Sequence, residues 1–183
     1  MVTRGKHLVS HPSLQDPNFA FTVVFMVEHS DEGALGLVLS RPSELASSPL
    51  FDDWSRFVHP PARVFRGGPV SPSSVIALAV TDARPVDRYG PVNPVTDHIG
   101  TFDVDTAEHD PSGLIGLRFF AGYASWAPGQ LEAELADQAW FVVPSRPADI
   151  LSADPEELWW QVIGRQPKEL RKLRHFPPEP WRN

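Results

Sequence analysis

Twenty prolines in a chain of 183 residues set the terms on which this sequence can fold. A proline donates no ladder hydrogen bond and breaks the interior of a helix. At about twice the ordinary ~5% usage, it leaves room only for short elements joined by stiff loops. The length suits one domain better than two, and 42% apolar with 21% charged residues is a globular composition. Such a chain buries about 70% of its unfolded surface, enough for a core without covalent staples.

There are no staples to use, because the chain has no cysteine. That excludes disulfides, thiolate nucleophiles, Fe–S clusters and cysteine-based zinc sites. Met1 to Lys6 is polar and basic with no apolar core behind it, so no signal peptide is expected. The longest apolar stretch, Phe19 to Val27, stops at Glu28, far short of the ~20 residues of a membrane span. The expectation is a cytoplasmic protein without membrane contact.

Charge is unevenly spread. Residues 165–183 carry six basic and two acidic side chains, net +4, which leaves −11 of the total −7 on the first 164. The expected organisation is one α+β domain over residues 1–164 and a basic tail over 165–183, packed on it or extending from it. So acidic a body repels a phosphate backbone, and direct nucleic-acid binding is disfavoured.

The order of elements reads as strands with a few short helices. Lys6 to Ser10 is a strand, and Phe19 to Glu28 a stronger one, apolar on both alternate faces and so covered on both. The turn His29–Gly33 leads into a strand over Ala34 to Ser40, forming an antiparallel hairpin. Gly36 within it signals a bulge or a close backbone approach. Ser48-Pro49 predicts a helix start, with Leu50, Trp54 and Phe57 on one face. Arg63 to Arg66 and Ser74 to Val80 read as strands around Gly67-Gly68-Pro69, and Asp82 to Thr96 as an irregular loop. Short strands follow near His98 to Val104 and Gly116 to Ala121. Gly122 to Gly129 reads as a loop opening a helix that carries Leu131 and Leu135, and Trp140 to Val143 as a strand. Asp154-Pro155-Glu156-Glu157 predicts a capped helix start, with Gly164 ending that helix in a left-handed conformation. Strands lead and the order is not a βαβ alternation, which favours α+β.

Motifs exclude more chemistry than they suggest. The seven histidines show no zinc spacing, so no metal is expected. Neither Gly33/Gly36 nor Gly67-Gly68 fits a phosphate loop or a dinucleotide fingerprint. Ser125 lacks the glycine-flanked elbow of hydrolases. No cofactor is implied, and no catalytic residue is assigned. What remains is a set of ligand-binding candidates: Glu28 and His29 at one strand end, Arg41 at another, Gly67 and Gly68 on a turn, Tyr123 and Trp126 in an aromatic loop, Gln130 and Glu132 in a first helical turn. Each has a purely structural alternative: Glu28 can pair with Arg41, Glu132 can act only on the helix dipole, and Tyr123 and Trp126 can be core.

Several blocks resemble the YqgE/AlgH family of bacterial proteins. They are Pro12-Ser13-Leu14-Gln15-Asp16-Pro17-Asn18-Phe19, Thr22-Val23-Val24 with Glu28-His29, Gly33-Ala34-Leu35-Gly36-Leu37-Val38-Leu39 with Arg41-Pro42, and Gly67-Gly68-Pro69-Val70. Gly122-Tyr123-Ala124, Trp126, Pro128-Gly129-Gln130-Leu131-Glu132, Glu134-Leu135 and Trp140 continue the match in order. The resemblance implies a branched, mainly antiparallel sheet that includes a small closed barrel, surrounded by short helices. It implies no established activity, and the family's label of transcriptional regulation says nothing of DNA contact. Ser40 stands where the family usually has asparagine. Ser125 stands where it usually has glycine, which makes Ser125 a poor nucleophile candidate.

Two functions compete, with a third, direct DNA-binding regulation, the least favoured. One is a small-molecule-binding or regulatory protein with a conventional cleft built from the candidates above. The other is a transcriptional regulator acting indirectly through protein partners, by way of the basic tail.

Overall fold

The computed structural model describes residues 2–47, 50–82, 92–105 and 113–176. The expected helix start at Ser48-Pro49, most of the 82–96 loop and the last seven residues of the basic tail lie outside these residues. Ten strands form one sheet: β1 (Lys6–Ser10), β2 (Val23–Ser30), β3 (Gly33–Val38), β4 (Pro42–Ala46), β5 (Arg63–Arg66), β6 (Val70–Thr81), β7 (Val92–Pro94), β8 (Ile99–Phe102), β9 (Leu114–Trp126) and β10 (Trp140–Pro144). The main path runs β10-β1-β2-β3-β9-β6-β8-β7. All its pairings are antiparallel. β4 and β5 form a side branch, joined to β9 by a parallel pairing of β5. Among the described residues, four short α-helices accompany the sheet: α1 (Gln130–Ala136), α2 (Pro147–Ile150), α3 (Leu158–Gly164) and α4 (Lys168–Arg171).

The sheet is branched as the resemblance implies, but the small closed barrel is not formed. β10 pairs only with β1 and β7 only with β8, so among the described residues no ladder joins the two ends. Each end strand finishes on a proline, Pro144 in β10 and Pro94 in β7, which cannot donate to a further strand. A side chain bridges part of the gap instead: Arg4 donates to the carbonyls of Pro94 and Val95 at 2.7 and 3.1 Å. The result is a curled, open sheet.

Local chemistry explains most boundaries. In β2, Val23, Phe25 and Val27 face one core cluster while Val24 and Met26 face another, so both faces are covered. The β2–β3 turn is tighter than the sequence implies, with Ser30 opposite Gly33. Gly36 answers both of its signals. The ladder slips between Met26 and Glu28 beside it, and a Cβ on Gly36 would lie 2.6 Å from a Val24 methyl. The predicted helix around Trp54 is a 3-10 turn, Asp52–Phe57. Trp54 packs edge-on against Phe102 at 4.8 Å, while Leu50 is exposed. Gly122 to Trp126, read as loop, continues β9. Asp154 makes no side-chain cap, and Gly164 is the last residue of α3 but is not left-handed.

The branch at β9 depends on absent side chains. A Cβ on Gly68 would fall 2.1 Å from the Tyr123 carbonyl carbon, and one on Gly67 2.3 Å from the Gly122 oxygen. Backbone lies against backbone there. The Gly67 N–H donates to Ala121 and its carbonyl accepts from Val38, so this one residue knits β3 and β5 to β9.

Beyond α3, Leu173 packs against the main core cluster. Trp159 is fully buried beneath this region, its indole N–H donating to the Ser10 carbonyl at 3.0 Å.

Gly68→Ala is expected to destabilise by on the order of 3 kcal/mol, because rigid backbone cannot make room. Gly129, with open space around it but φ +77°, should cost only ~1 kcal/mol as alanine. Urea unfolding of the two variants checks the ranking; equal losses would refute the backbone-contact argument.

Candidate functional site

Arg41 and Arg66 end up side by side. Arg41 immediately precedes β4 and Arg66 closes β5, and the Arg66 N–H donates to the Arg41 carbonyl at 2.8 Å. Residues opposed in this way project from the same face of the pair. Both line a cavity of about 370 Å³ with Val38, Ser43, Gly68 and Ala121, walled by Pro17 and Asn18 on one side and Pro72 on the other. Arg41 is half-buried and one of its terminal nitrogens donates to the Ala20 carbonyl at 2.6 Å. Burial depresses its guanidinium from the ordinary 12.5; Glu156 pulls it back, and the like charge of Arg66 depresses it further. It stays charged, as arginine does in proteins. Among the described residues, no carboxylate forms an ion pair with either arginine.

Strained backbone gathers around this cavity. Three described non-glycine residues have left-handed φ: Phe21, Ser71 and Gln138. Phe21 follows the Ala20 carbonyl that Arg41 holds, and Ser71 precedes the wall residue Pro72. The conformation costs about 1–2 kcal/mol for a residue bearing a side chain, and such strain concentrates at functional sites. At Phe21 it is upheld by stacking on Trp160 at 5.6 Å and an edge contact with Trp159 at 5.0 Å.

The nine candidates from the sequence do not surround one hollow. Arg41 and Gly68 line the arginine cavity; Gly67 lies beneath it in backbone contact with β9. Tyr123 is half-buried opposite Val70 and packs on the core. Glu28 is exposed on β2 and is not the partner of Arg41. The other four cluster at the far end of β3. His29 pairs with Ala34 in the ladder, four residues from Val38, roughly 13 Å along a strand.

That second cluster is held by its own hydrogen bonds. The Thr3 N–H donates to His29 Nδ1 at 3.2 Å. A backbone N–H can only donate, so Nδ1 accepts and Nε2 carries the ring proton. Nε2 donates to Glu132 Oε1 at 2.7 Å. The Thr3 hydroxyl is 2.8 Å from Nδ1, giving hydroxyl, imidazole and carboxylate in a line. It is no nucleophile site, because Thr3 is fully buried and no substrate carbonyl can reach it. The Glu132 carboxyl is held below the usual range first by its own backbone N–H and then by His29, in the first turn of α1. Glu134, absent from the candidates, accepts from both Trp126 and Trp140 indoles at 2.9 and 2.8 Å and from Gln130 at 2.9 Å. Trp126 is buried. This end of the molecule is built from packing and caps.

Two further polar arrangements escape sequence reading. His7 on β1 is fully buried, with Nε2 3.0 Å from Asp149 Oδ2. Asp149 also accepts both terminal nitrogens of Arg165, one at 2.7 Å. Burial raises the Asp149 carboxyl, but the Arg165 and His7 hydrogen bonds overcome it and hold the group down to about 2. Burial lowers His7 from 6.5 despite Asp149, so the ring is neutral, and its Nδ1 has no hydrogen-bond partner among the described residues. Arg118 is the second: 1% exposed, it donates to the carbonyls of Ser152 and Pro60 at 2.9 Å each and lies over the Phe65 ring at 4.4 Å. Burial pushes it down to about 10, still charged at neutral pH. A neighbouring cavity of about 390 Å³ carries Glu44, Asp154, Glu156 and Glu157, with Pro61 and Ala153 in its wall. Those two residues follow the carbonyls that Arg118 holds, so this acidic surface faces a buried positive charge. Among the described residues, no group of three or more His, Cys, Asp or Glu side chains could hold a metal ion. No described helix is long and apolar enough to cross a membrane.

An open, curled, mainly antiparallel sheet with a few short helices defines an α+β protein. The chain belongs to the AlgH-like family, whose sequence profile matches residues 7–171. A UPF0301 protein of Streptomyces coelicolor is 40% identical over 182 residues, spanning 98% of this chain and 94% of that one. A UPF0301 protein of Mycobacterium tuberculosis is 36% identical, with coverage of 100% and 91%. A crystal structure of a Corynebacterium diphtheriae protein, 31% identical, superposes with a TM-score of 0.87 over 96% of this chain and 93% of that one. The solution structure of the AlgH protein from Pseudomonas aeruginosa, 32% identical, gives 0.66 over 90% and 89%.

The buried imidazole has a consequence for stability. Its folded pKa lies below 6.5, so on acidification the unfolded chain takes up that proton first, and stability falls as pH drops below about 6.5. Asp149, lowered from 3.8 to about 2, adds stability above 3.8 that is lost as pH falls through 2. His7→Gln keeps a donor to Asp149 and removes the titration. Its unfolding free energy should therefore decline less between pH 7 and pH 5 than the parent's, whose extra slope is bounded by one proton, about 1.4 kcal/mol per pH unit. Identical slopes in urea titrations would show that His7 does not contribute.

Proposed function

We propose that the protein binds a small anionic ligand in the Arg41–Arg66 cavity. The observation that carries this is two adjacent arginines with no carboxylate in ion-pair contact among the described residues, lining one hollow. A volume of about 370 Å³ lies within the ~300–1,000 Å³ of small-molecule sites. Guanidinium forks suit carboxylate and phosphate groups. The left-handed residues Phe21 and Ser71 beside the walls add independent support.

Binding rather than turnover is the reading. The lining contains no His, Asp, Glu or Cys, and its hydroxyl, Ser43, already accepts the Leu45 N–H at 3.1 Å. A hydroxyl with no neighbouring base is a weak nucleophile.

Titration calorimetry with inorganic phosphate tests the reading. Arg66→Ala, an exposed position, should weaken binding by about tenfold, roughly one charge-assisted contact. Its thermal unfolding without ligand should be unchanged. Arg41→Ala/Arg66→Ala should abolish the heat of binding. Phosphate binding that survives loss of both arginines would mean that the ligand sits elsewhere.

A further inference from the structure

The arginines occupy only part of their cavity, and the remaining walls narrow the class of anion that fits it; this inference rests on the anion-binding reading above. Pro17, Val38, Pro72 and Ala121 present carbon to the same space. At about 370 Å³ the hollow has the volume of about a dozen waters, at ~30 Å³ each. An inorganic ion would take a small share and leave those four residues facing water. An organic substituent on the anion would cover them, and burying apolar surface is favourable.

Charge narrows the class further. Arg41 and Arg66 stand opposite one another where β4 and β5 meet, and among the described residues neither has an acidic partner in an ion pair. A carboxylate offers only two oxygens, which one guanidinium fork occupies. A phosphomonoester carries −1.5 to −2 at neutral pH and three acceptor oxygens, enough for both forks at once. Arg41 commits one nitrogen to Ala20, which fixes the guanidinium before a ligand arrives; such preorganisation favours binding.

We propose that this cavity is selective for a phosphomonoester with a compact apolar or planar organic group, its phosphate between Arg41 and Arg66 and its organic part against Pro17, Val38 and Pro72. The ligand is bound whole, with no bond made or broken.

Three probes separate the parts of the proposal: inorganic phosphate, phenyl phosphate and benzoate, each titrated into the full chain. Phenyl phosphate is expected to bind at least about tenfold tighter than phosphate and than benzoate. Pro72→Ser, an exposed wall position, should narrow the ratio of phenyl phosphate to phosphate and leave phosphate itself unchanged. Arg66→Ala should bring phenyl phosphate and benzoate close together. Phenyl phosphate no tighter than phosphate overturns the apolar subsite, and benzoate as tight as phenyl phosphate overturns the preference for a dianion. In either case, phosphate binding that still depends on the two arginines leaves the anion-binding reading standing. Failure of all three probes to bind overturns both.

Discussion

Strand β9 serves three neighbours, and the contact of glycine backbone with glycine backbone is what allows it. A single edge of β9 meets β5 at Phe120–Ala121 and β3 at Ala124–Trp126, while β6 runs along the other edge. Two strands can share one edge only if the chain between them lies flat against it, and Gly67 and Gly68 fill that place with no side chain. The side branch of β4 and β5 hangs from this junction, and with it Arg66 and the cavity. The glycines therefore matter for what they bring near, not for what they touch.

The sheet remains open for an equally local reason. Its two end strands are short and finish in proline, so closure would need ladder donors that are absent from those positions. Edges of this kind are blunted against association. The β10 edge also lies beside a mostly apolar hollow of about 500 Å³ between α1 and Leu170.

Much of the fold was legible. The strands from Lys6 and Trp140, the β2–β3 hairpin and the bulge signalled by Gly36 follow from alternation and turn chemistry alone; the strand expected from Phe19 begins only at Val23, because Phe21 before it takes a left-handed φ. The early end given to β9 came from reading Gly122 as punctuation; φ +71° there bends the strand without ending it. The site was legible only in part. Arg41 and Gly68 stood out because each sits at a change of local structure. Arg66, directly before a glycine pair, carries a weaker form of the same signal. No local pattern announces that residues 25 apart will face each other across a branch. The His7–Asp149–Arg165 group spans 142 residues from histidine to aspartate, a separation that no spacing rule reaches. The closed barrel came with the family resemblance and had no residue-level argument behind it.

Arg165 gives the end of the chain a meaning that its net charge conceals. Counted as charge, the residues after Gly164 look like a detachable basic appendage. Yet the first of them supplies the counter-ion to a carboxylate that is itself 5% exposed, and Leu173 seals core surface. A cut at that apparent boundary would strand an anion in a poorly hydrated interior beside a neutral ring. Loss of a binding partner after such a cut would report a damaged body, so a shortened chain used to map contacts must retain these two residues.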